Sequence, residues 1–177
     1  GVINLLIGEG ATAGDAVVVH PDVAAIGFTG SAATGRRIAE RGAGKPLLLE
    51  LGGNGPVVVF EDADIDAAAA AAAGGAFFNA GQVCAATGRV LAHHSVVDRL
   101  CEKLVEHAAR QVPGDPFHQG TTMGPLNNAK VAAKVKEHID DAVAAGARIL
   151  HGGKPRPDLG SGLFFEPTVI RDVTRDM

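Results

Sequence analysis

Val23-Ala24-Ala25-Ile26-Gly27-Phe28-Thr29-Gly30-Ser31 is an apolar run that ends in small and hydroxylated residues. A short apolar stretch bounded by turn residues reads as a buried strand. Residues 32–41 follow as a predicted helix, with Ile38 and Ala39 on its inner face. A strand that passes through Thr-Gly-Ser into a helix makes an anion site, because the first helical N–H groups are unsatisfied and the positive end of the helix dipole lies there. Ser31 is equally a good helix N-cap, a role that needs no ligand. The turn therefore admits a dinucleotide reading and a purely structural one on even terms. Gly30 and Gly35 have the spacing of a Walker A loop, but Arg36-Arg37 stands where Lys and Ser or Thr are required, so a P-loop is rejected.

Working outward, residues 2–7 form a strand candidate, and Gly8-Glu9-Gly10-Ala11-Thr12-Ala13-Gly14 a glycine-spaced turn before a helix opening at residues 15–19. His20-Pro21 ends that helix. Lys45-Pro46-Leu47-Leu48-Leu49-Glu50 is a second strand pattern that closes on a carboxylate. A Glu behind three leucines is partly desolvated if the strand is internal, which suits a proton acceptor; an exposed strand-end Glu is the plainer reading. Gly52, Gly53 and Gly55 mark a sharp turn or a crossover between domains.

Residues 57–60 are a further strand. Asp62, Asp64 and Asp66 then crowd the start of a helix running through residues 67–73. Capping explains these aspartates better than a metal, since the rest of a calcium loop is missing. That helix leads to Phe77-Phe78-Asn79-Ala80-Gly81-Gln82-Val83-Cys84-Ala85-Ala86, one thiol among small residues. Small neighbours leave room for a substrate near the backbone, although a lone cysteine is commonly an inert apolar side chain. Residues 89–93 read as a strand, with His93-His94 as polar residues at its end. Helices are predicted over residues 96–109 and 127–145, the second stopping at Gly146. Residues 112–116 are a rigid loop, residues 149–150 a short strand, residues 152–162 a Gly/Pro-rich loop, and residues 164–170 a final extended segment. Strands alternating with helices give an α/β fold with a mostly parallel sheet.

Composition sets the outer bounds. With 177 residues the chain is long enough for one domain or for pieces of two, and 46% hydrophobic content is far from that of a disordered chain. A net charge of −4, without basic runs, gives no footing for nucleic acid. No apolar run approaches membrane length. Cys84 and Cys101 fit no zinc spacing, so reduced cytoplasmic thiols and no metal are expected. Apolar runs close to Gly1 and Met177 suggest an internal piece of a larger protein.

Four stretches in one order carry a resemblance: Gly27-Phe28-Thr29-Gly30-Ser31, Leu49-Glu50-Leu51-Gly52-Gly53, Gly81-Gln82-Val83-Cys84 and Met123-Gly124-Pro125-Leu126. Together with Gly114-Asp115-Pro116 and Glu166-Pro167-Thr168, they resemble the NAD(P)-dependent aldehyde dehydrogenase superfamily over essentially the whole chain. Asn54-Gly55-Pro56 departs from it, since many members carry Lys, a small polar residue and Pro. The resemblance implies that Cys84 attacks the aldehyde carbon, with its own N–H supplying part of an oxyanion hole. Glu50 is then the base that activates water against the resulting thioester. It further implies that NAD or NADP contacts Thr29, Gly30, Ser31 and Gly35, with Gly30 and Ser31 at the pyrophosphate. Gly10 and Gly14 fall on the adenosine side, and Leu51 touches the nicotinamide through its backbone.

By the same resemblance, residues 1–50 are the second half of a Rossmann-like cofactor domain and residues 51–177 the first part of the catalytic domain. The expected partner is a small aldehyde, and the parent protein is expected to be a cytoplasmic homodimer or homotetramer. Family parts outside this stretch leave the 177 residues alone without dehydrogenase activity. Three alternatives stand beside this: a CoA-acylating relative, which would lack the Glu50 base; a cysteine hydrolase or acyltransferase, which would need a His partner for Cys84; and a non-catalytic relative. Neither the aldehyde nor the choice between NAD and NADP is fixed by these residues.

Overall fold

Residues 2–7, the first strand candidate, remain unpaired in the computed structural model, which describes all 177 residues, Gly1–Met177. Val2, Ile3, Leu5, Leu6 and Ile7 are all exposed. An apolar run becomes a strand only when a neighbouring strand takes its N–H and C=O groups, and none in this chain does. The elements fall into two units, residues 1–53 and residues 54–177.

In the first unit the expected glycine turn is itself helical. Gly10–Gly14 winds one wide turn, with the Thr12 and Ala13 N–H groups donating to the Glu9 carbonyl at 3.0 and 2.9 Å, and continues into α1 (Asp15–Val19). His20, extended ahead of Pro21, ends it. The Lys45 ammonium donates to the carbonyls of Val18 (2.8 Å) and His20 (2.6 Å), which satisfies acceptors at the helix C-terminus. Next come β1 (Ile26–Gly30), α2 (Ala32–Arg41) and β2 (Leu47–Leu51). β1 and β2 pair in parallel, from Ile26 opposite Leu47 to Gly30 opposite Leu51. The strand expected from Val23 begins three residues later, because its ladder starts where the Ile26 N–H meets the Pro46 carbonyl.

Ser31 caps α2, its hydroxyl accepting from the Thr34 N–H at 3.2 Å. Gly35 and Ile38 are the buried residues of that helix, whereas Ala39 is exposed. One further residue rotates the side chain by about 100°, which carries Ala39 off the stripe that Gly35 and Ile38 share. Arg41 pairs with Asp15 at 2.6 Å and ties α2 to α1.

The second unit contains β3 (Gly55–Val59), α3 (Ile65–Phe77), β4 (Thr87–Ala92), α4 (Val97–Ala109), α5 (Ala129–Ala144), β5 (Arg148–His151) and β6 (Val169–Arg171). β3 and β4 are parallel, and β5 and β6 antiparallel. The strands thus form three separate pairs, two parallel and one antiparallel, rather than one continuous sheet. Asp64 caps α3 by accepting from the Asp66 and Ala67 N–H groups at 3.1 Å each, and Asp66 pairs with Arg99 at 2.7 Å. Asp64 and, in the first turn, Asp66 therefore serve the helix as the capping reading expected, while Asp62 makes no bond to it. Ala69, Ala72 and Ala73 are buried; their small side chains let α3 lie close to its neighbours. Val59, Ile65, Ala69 and Leu100 form one core cluster, and Leu126, Ile139 and Phe165 a second. Asn128 caps α5 by accepting from the Val131 N–H at 3.0 Å, and Gly146 leaves it with φ +102°.

Candidate active site

Cys84 is reached through a left-handed turn. After α3 ends at Phe77, Asn79 (φ 51°, ψ 36°), Ala80 (φ 53°, ψ 34°) and Gly81 (φ 74°) take positive φ in succession. Glycine does so freely and asparagine with little penalty, but for alanine the conformation costs about 1–2 kcal/mol. Two contacts offset this. The Ala80 methyl packs against the Leu126, Ile139 and Phe165 cluster. Gln82 fixes the far end of the turn: its side-chain amide donates to the carbonyls of Asn79 (3.1 Å) and Pro125 (3.2 Å), and its Oε1 accepts from the Asn127 N–H (2.7 Å).

The Ala86 N–H closes on the Val83 carbonyl at 3.0 Å, leaving Cys84 inside a tight turn just ahead of β4, with its side chain exposed. The strand beside it approaches closely. A Cβ at Gly55 would stand 2.6 Å from the Ala86 carbonyl oxygen, so only glycine fits there. Cys101 is different: it is half-buried on α4, and burial pushes its thiol up from the ordinary range, with the Arg171 guanidinium opposing. Of the two thiols, Cys84 is the one a small electrophile reaches.

Glu50 lies in the other unit, opposite Thr29 in the β1–β2 register, and its side chain is exposed. Within this unit that is the plainer of the two readings, an exposed strand-end Glu rather than a partly desolvated one. Alternation along β2 gives Leu47, Leu49 and Leu51 the half-buried face and places Glu50 with Leu48 on the open one. Leu51 instead packs on α2, where a Cβ at Gly35 would meet its Cδ2 at 2.6 Å. Gly35 thus has a packing reason to be glycine. Thr29, Gly30 and Ser31 follow one another at the end of β1 and the start of α2, where Ser31 occupies the Thr34 N–H and the earlier amides of the helix are left for an outside acceptor.

Gly10 and Gly14 line a cavity of about 360 Å³ together with Asp15, Val18, Ile26, Phe28, Thr34 and Arg37. The apolar hollow also carries the Arg37 guanidinium, the Thr34 hydroxyl and the Asp15 carboxylate, which pairs with Arg37 at 3.5 Å. Its apolar walls suit a flat heterocycle, and a linked phosphate falls to the capped helix N-terminus of the same unit rather than to the paired guanidinium. The residues present therefore fit part of a dinucleotide. Thr34, Arg37 and Gln82 are additions that the sequence reading missed. In the sequence Arg37 stands only as a departure from a P-loop, and Gln82 only as a letter of the Gly81-Gln82-Val83-Cys84 stretch. A lone long amide among small residues was the available signal.

The first unit is a parallel strand–helix–strand with an anion-type turn, and the second carries an exposed thiol on a braced turn. The chain belongs to the aldehyde dehydrogenase family, whose model matches residues 1–177. It is 44% identical to a peroxisomal aminoaldehyde dehydrogenase of Pisum sativum and 41% identical to the betaine aldehyde dehydrogenase of Bacillus subtilis, in each case over its full length. It spans only 36% and 37% of those proteins. Among solved structures, a betaine aldehyde dehydrogenase of Staphylococcus aureus in complex with NAD+ matches 96% of the chain at 38% identity with a TM-score of 0.90. An NADP-dependent enzyme of E. coli matches 94% at 41% identity, also with a TM-score of 0.90. The chain covers 35% of each.

Proposed function

We propose that this chain is the cysteine-bearing segment of an enzyme that oxidises an aldehyde to a carboxylic acid. Exposure of Cys84 on a strained, braced turn, in a chain matched from end to end by the family, is the observation that carries this. Cys84 attacks the aldehyde carbon to give a thiohemiacetal, and its own backbone N–H donates to the developing oxyanion. NAD or NADP, when bound, would supply the hydride acceptor for this step. The Cys84 thioester that results is hydrolysed by water from which Glu50 removes a proton. Glu50 favours transfer to water over transfer to CoA, because an acyl group handed to a thiol needs no such base.

Gly10 and Gly14 would hold the adenosine side of the cofactor, Thr29, Gly30 and Ser31 would receive its pyrophosphate at the N-terminus of α2, Gly35 would lie along it, and Leu51 would touch the nicotinamide through its backbone. In domain terms, residues 1–50 are the latter half of the cofactor domain and residues 51–177 the first part of the catalytic domain. The names of the relatives make betaine aldehyde and aminoaldehydes the first substrates to try. No helix of the chain is long and apolar enough to cross a membrane. The 177 residues alone are inactive, and the whole protein is a cytoplasmic homodimer or homotetramer.

The deciding experiment uses the whole protein carrying Glu50→Gln. A single burst of NAD(P)H, stoichiometric with Cys84 and followed by almost no turnover, is the expected trace. Loss of the burst in Cys84→Ser should accompany it. Steady turnover in Glu50→Gln at the wild-type rate would remove Glu50 from the mechanism, and a wild-type protein that forms no NAD(P)H with any aldehyde would end the redox reading.

A further inference from the structure

Gln82 has more bonds than its place in a loop requires: one closes the turn that carries Cys84, and two cross to the loop at residues 123–127. Its amide nitrogen donates to the Asn79 and Pro125 carbonyls at 3.1 and 3.2 Å, and its amide oxygen accepts from the Asn127 N–H at 2.7 Å. The Asn79 side chain returns a longer bond to the Gln82 carbonyl at 3.4 Å. Two donated bonds and one accepted bond settle which end of the amide points where, and only a neutral primary amide of this length supplies all three. A carboxylate would set its oxygens against two carbonyls, and a thioether would leave the Asn127 N–H without its acceptor.

The partners are far apart in sequence. Pro125 lies 43 residues and Asn127 45 residues along the chain, in the loop Met123-Gly124-Pro125-Leu126-Asn127. Leu126, between them, is buried in the cluster that holds the Ala80 methyl, and its N–H donates to the Leu163 carbonyl at 2.8 Å. The partner loop is therefore anchored by Ile139, Phe165 and the Leu163 carbonyl as well as by its contact with the turn. The turn itself is under strain at Ala80 and cannot keep its left-handed course by local preference alone.

We propose that Gln82 is a positioning residue: it staples the strained turn before Cys84 to the backbone of Pro125 and Asn127 and so sets where the thiol stands. The inference rests on the proposed role of Cys84 as nucleophile. A thiol displaced by about 1 Å from its attack geometry loses on the order of 100-fold in rate, while binding of the aldehyde, which does not depend on the sulfur, changes little.

The test uses the whole protein with Gln82→Glu and Gln82→Met, measuring the NAD(P)H burst, the KM for aldehyde, alkylation of Cys101, and exchange of the Asn127 amide proton. The staple predicts a burst rate roughly 10- to 100-fold lower in both variants, with KM within about threefold and Cys101 as protected as in the wild type. The Asn127 amide should exchange faster in Gln82→Met. In Gln82→Glu the deficit should shrink as pH falls, because the protonated carboxyl regains a donor, whereas the Gln82→Met deficit should stay level against wild type. A burst rate within twofold of wild type in either variant overturns the proposal. So does a slow burst accompanied by faster Cys101 alkylation, which would make Gln82 a support of the whole fold. Absence of any burst in the wild type would instead refute the reaction, and the Asn127 amide would still report whether the staple exists.

Discussion

Gly35 and Leu51 meet where α2 crosses β2, so closely that a single methyl group on Gly35 would lie 2.6 Å from Leu51 Cδ2 and 3.4 Å from its Cγ. Gly35 is buried and Leu51 half-buried. The helix can approach the strand only because one side chain is missing, and that approach decides which face of β2 is left for Glu50.

Gly35→Ala therefore sets two effects against each other. Alanine improves helix propensity by about 1 kcal/mol, while forcing a methyl into a filled contact costs about 1–3 kcal/mol. The contact should win, giving net destabilisation of roughly 1 kcal/mol in urea unfolding. Adding Leu51→Ala should recover part of it. A more stable Gly35→Ala protein would mean that Leu51 turns aside freely.

Iodoacetamide at neutral pH should modify Cys84 at least about tenfold faster than Cys101, since reactivity follows exposure and thiolate fraction. Cys84 is exposed; Cys101 is half-buried, with its thiol raised by burial. A raised thiol gives up its proton only at higher pH, so the Cys101 rate should keep climbing above the pH at which an ordinary cysteine levels off. Peptide mapping across a pH series would show equal rates if the two environments were alike.

Gly55→Ala places a methyl 2.6 Å from the Ala86 carbonyl, and backbone cannot swing away as a side chain does. Either β3 or the turn after Cys84 must move. Loss of about 1–3 kcal/mol of stability and a burst slowed by an order of magnitude or more are expected together. An unchanged burst in a destabilised protein would show that the strand yields rather than the turn.

Asp172 is held below the usual carboxylate range, first by its hydrogen bond to Arg148 and then by Arg171 nearby. A depressed carboxyl contributes stability above its unfolded titration, near pH 4, and loses it as pH falls through the lower folded value. Asp172→Asn, which tolerates the same positive φ of 64°, should thus be less stable than wild type at neutral pH. The difference should close on acidification below about pH 4. The group is exposed, so the effect is small and should fade further in high salt. A difference independent of pH would mean that the charge is not its source.

What could be read directly was local. Ser31 and Asp64 sit at helix starts because their oxygens accept from an N–H two or three residues on, and Gly146 ends α5 because it alone there takes φ +102°. Such bonds form within a few residues, so the letters suffice. The alternation of strands with helices, and the four stretches that carried the family resemblance, were equally visible, with Cys84 among them.

Pairing was not visible in that way. Residues 2–7 and 26–30 are both apolar, yet only the second has a partner strand, and nothing local distinguishes them. The orientation of Glu50 follows from Leu51 facing α2, and the packing role of Gly35 from the same contact. The three bonds of Gln82 depend on a loop more than forty residues away. By itself the sequence determined where most helices lie, what caps two of them and where the thiol falls along the chain, because short-range hydrogen bonds and backbone preferences decide those. Tertiary structure alone decided which strands pair, which way each side chain faces and what braces the turn, because those depend on contacts between residues far apart along the chain.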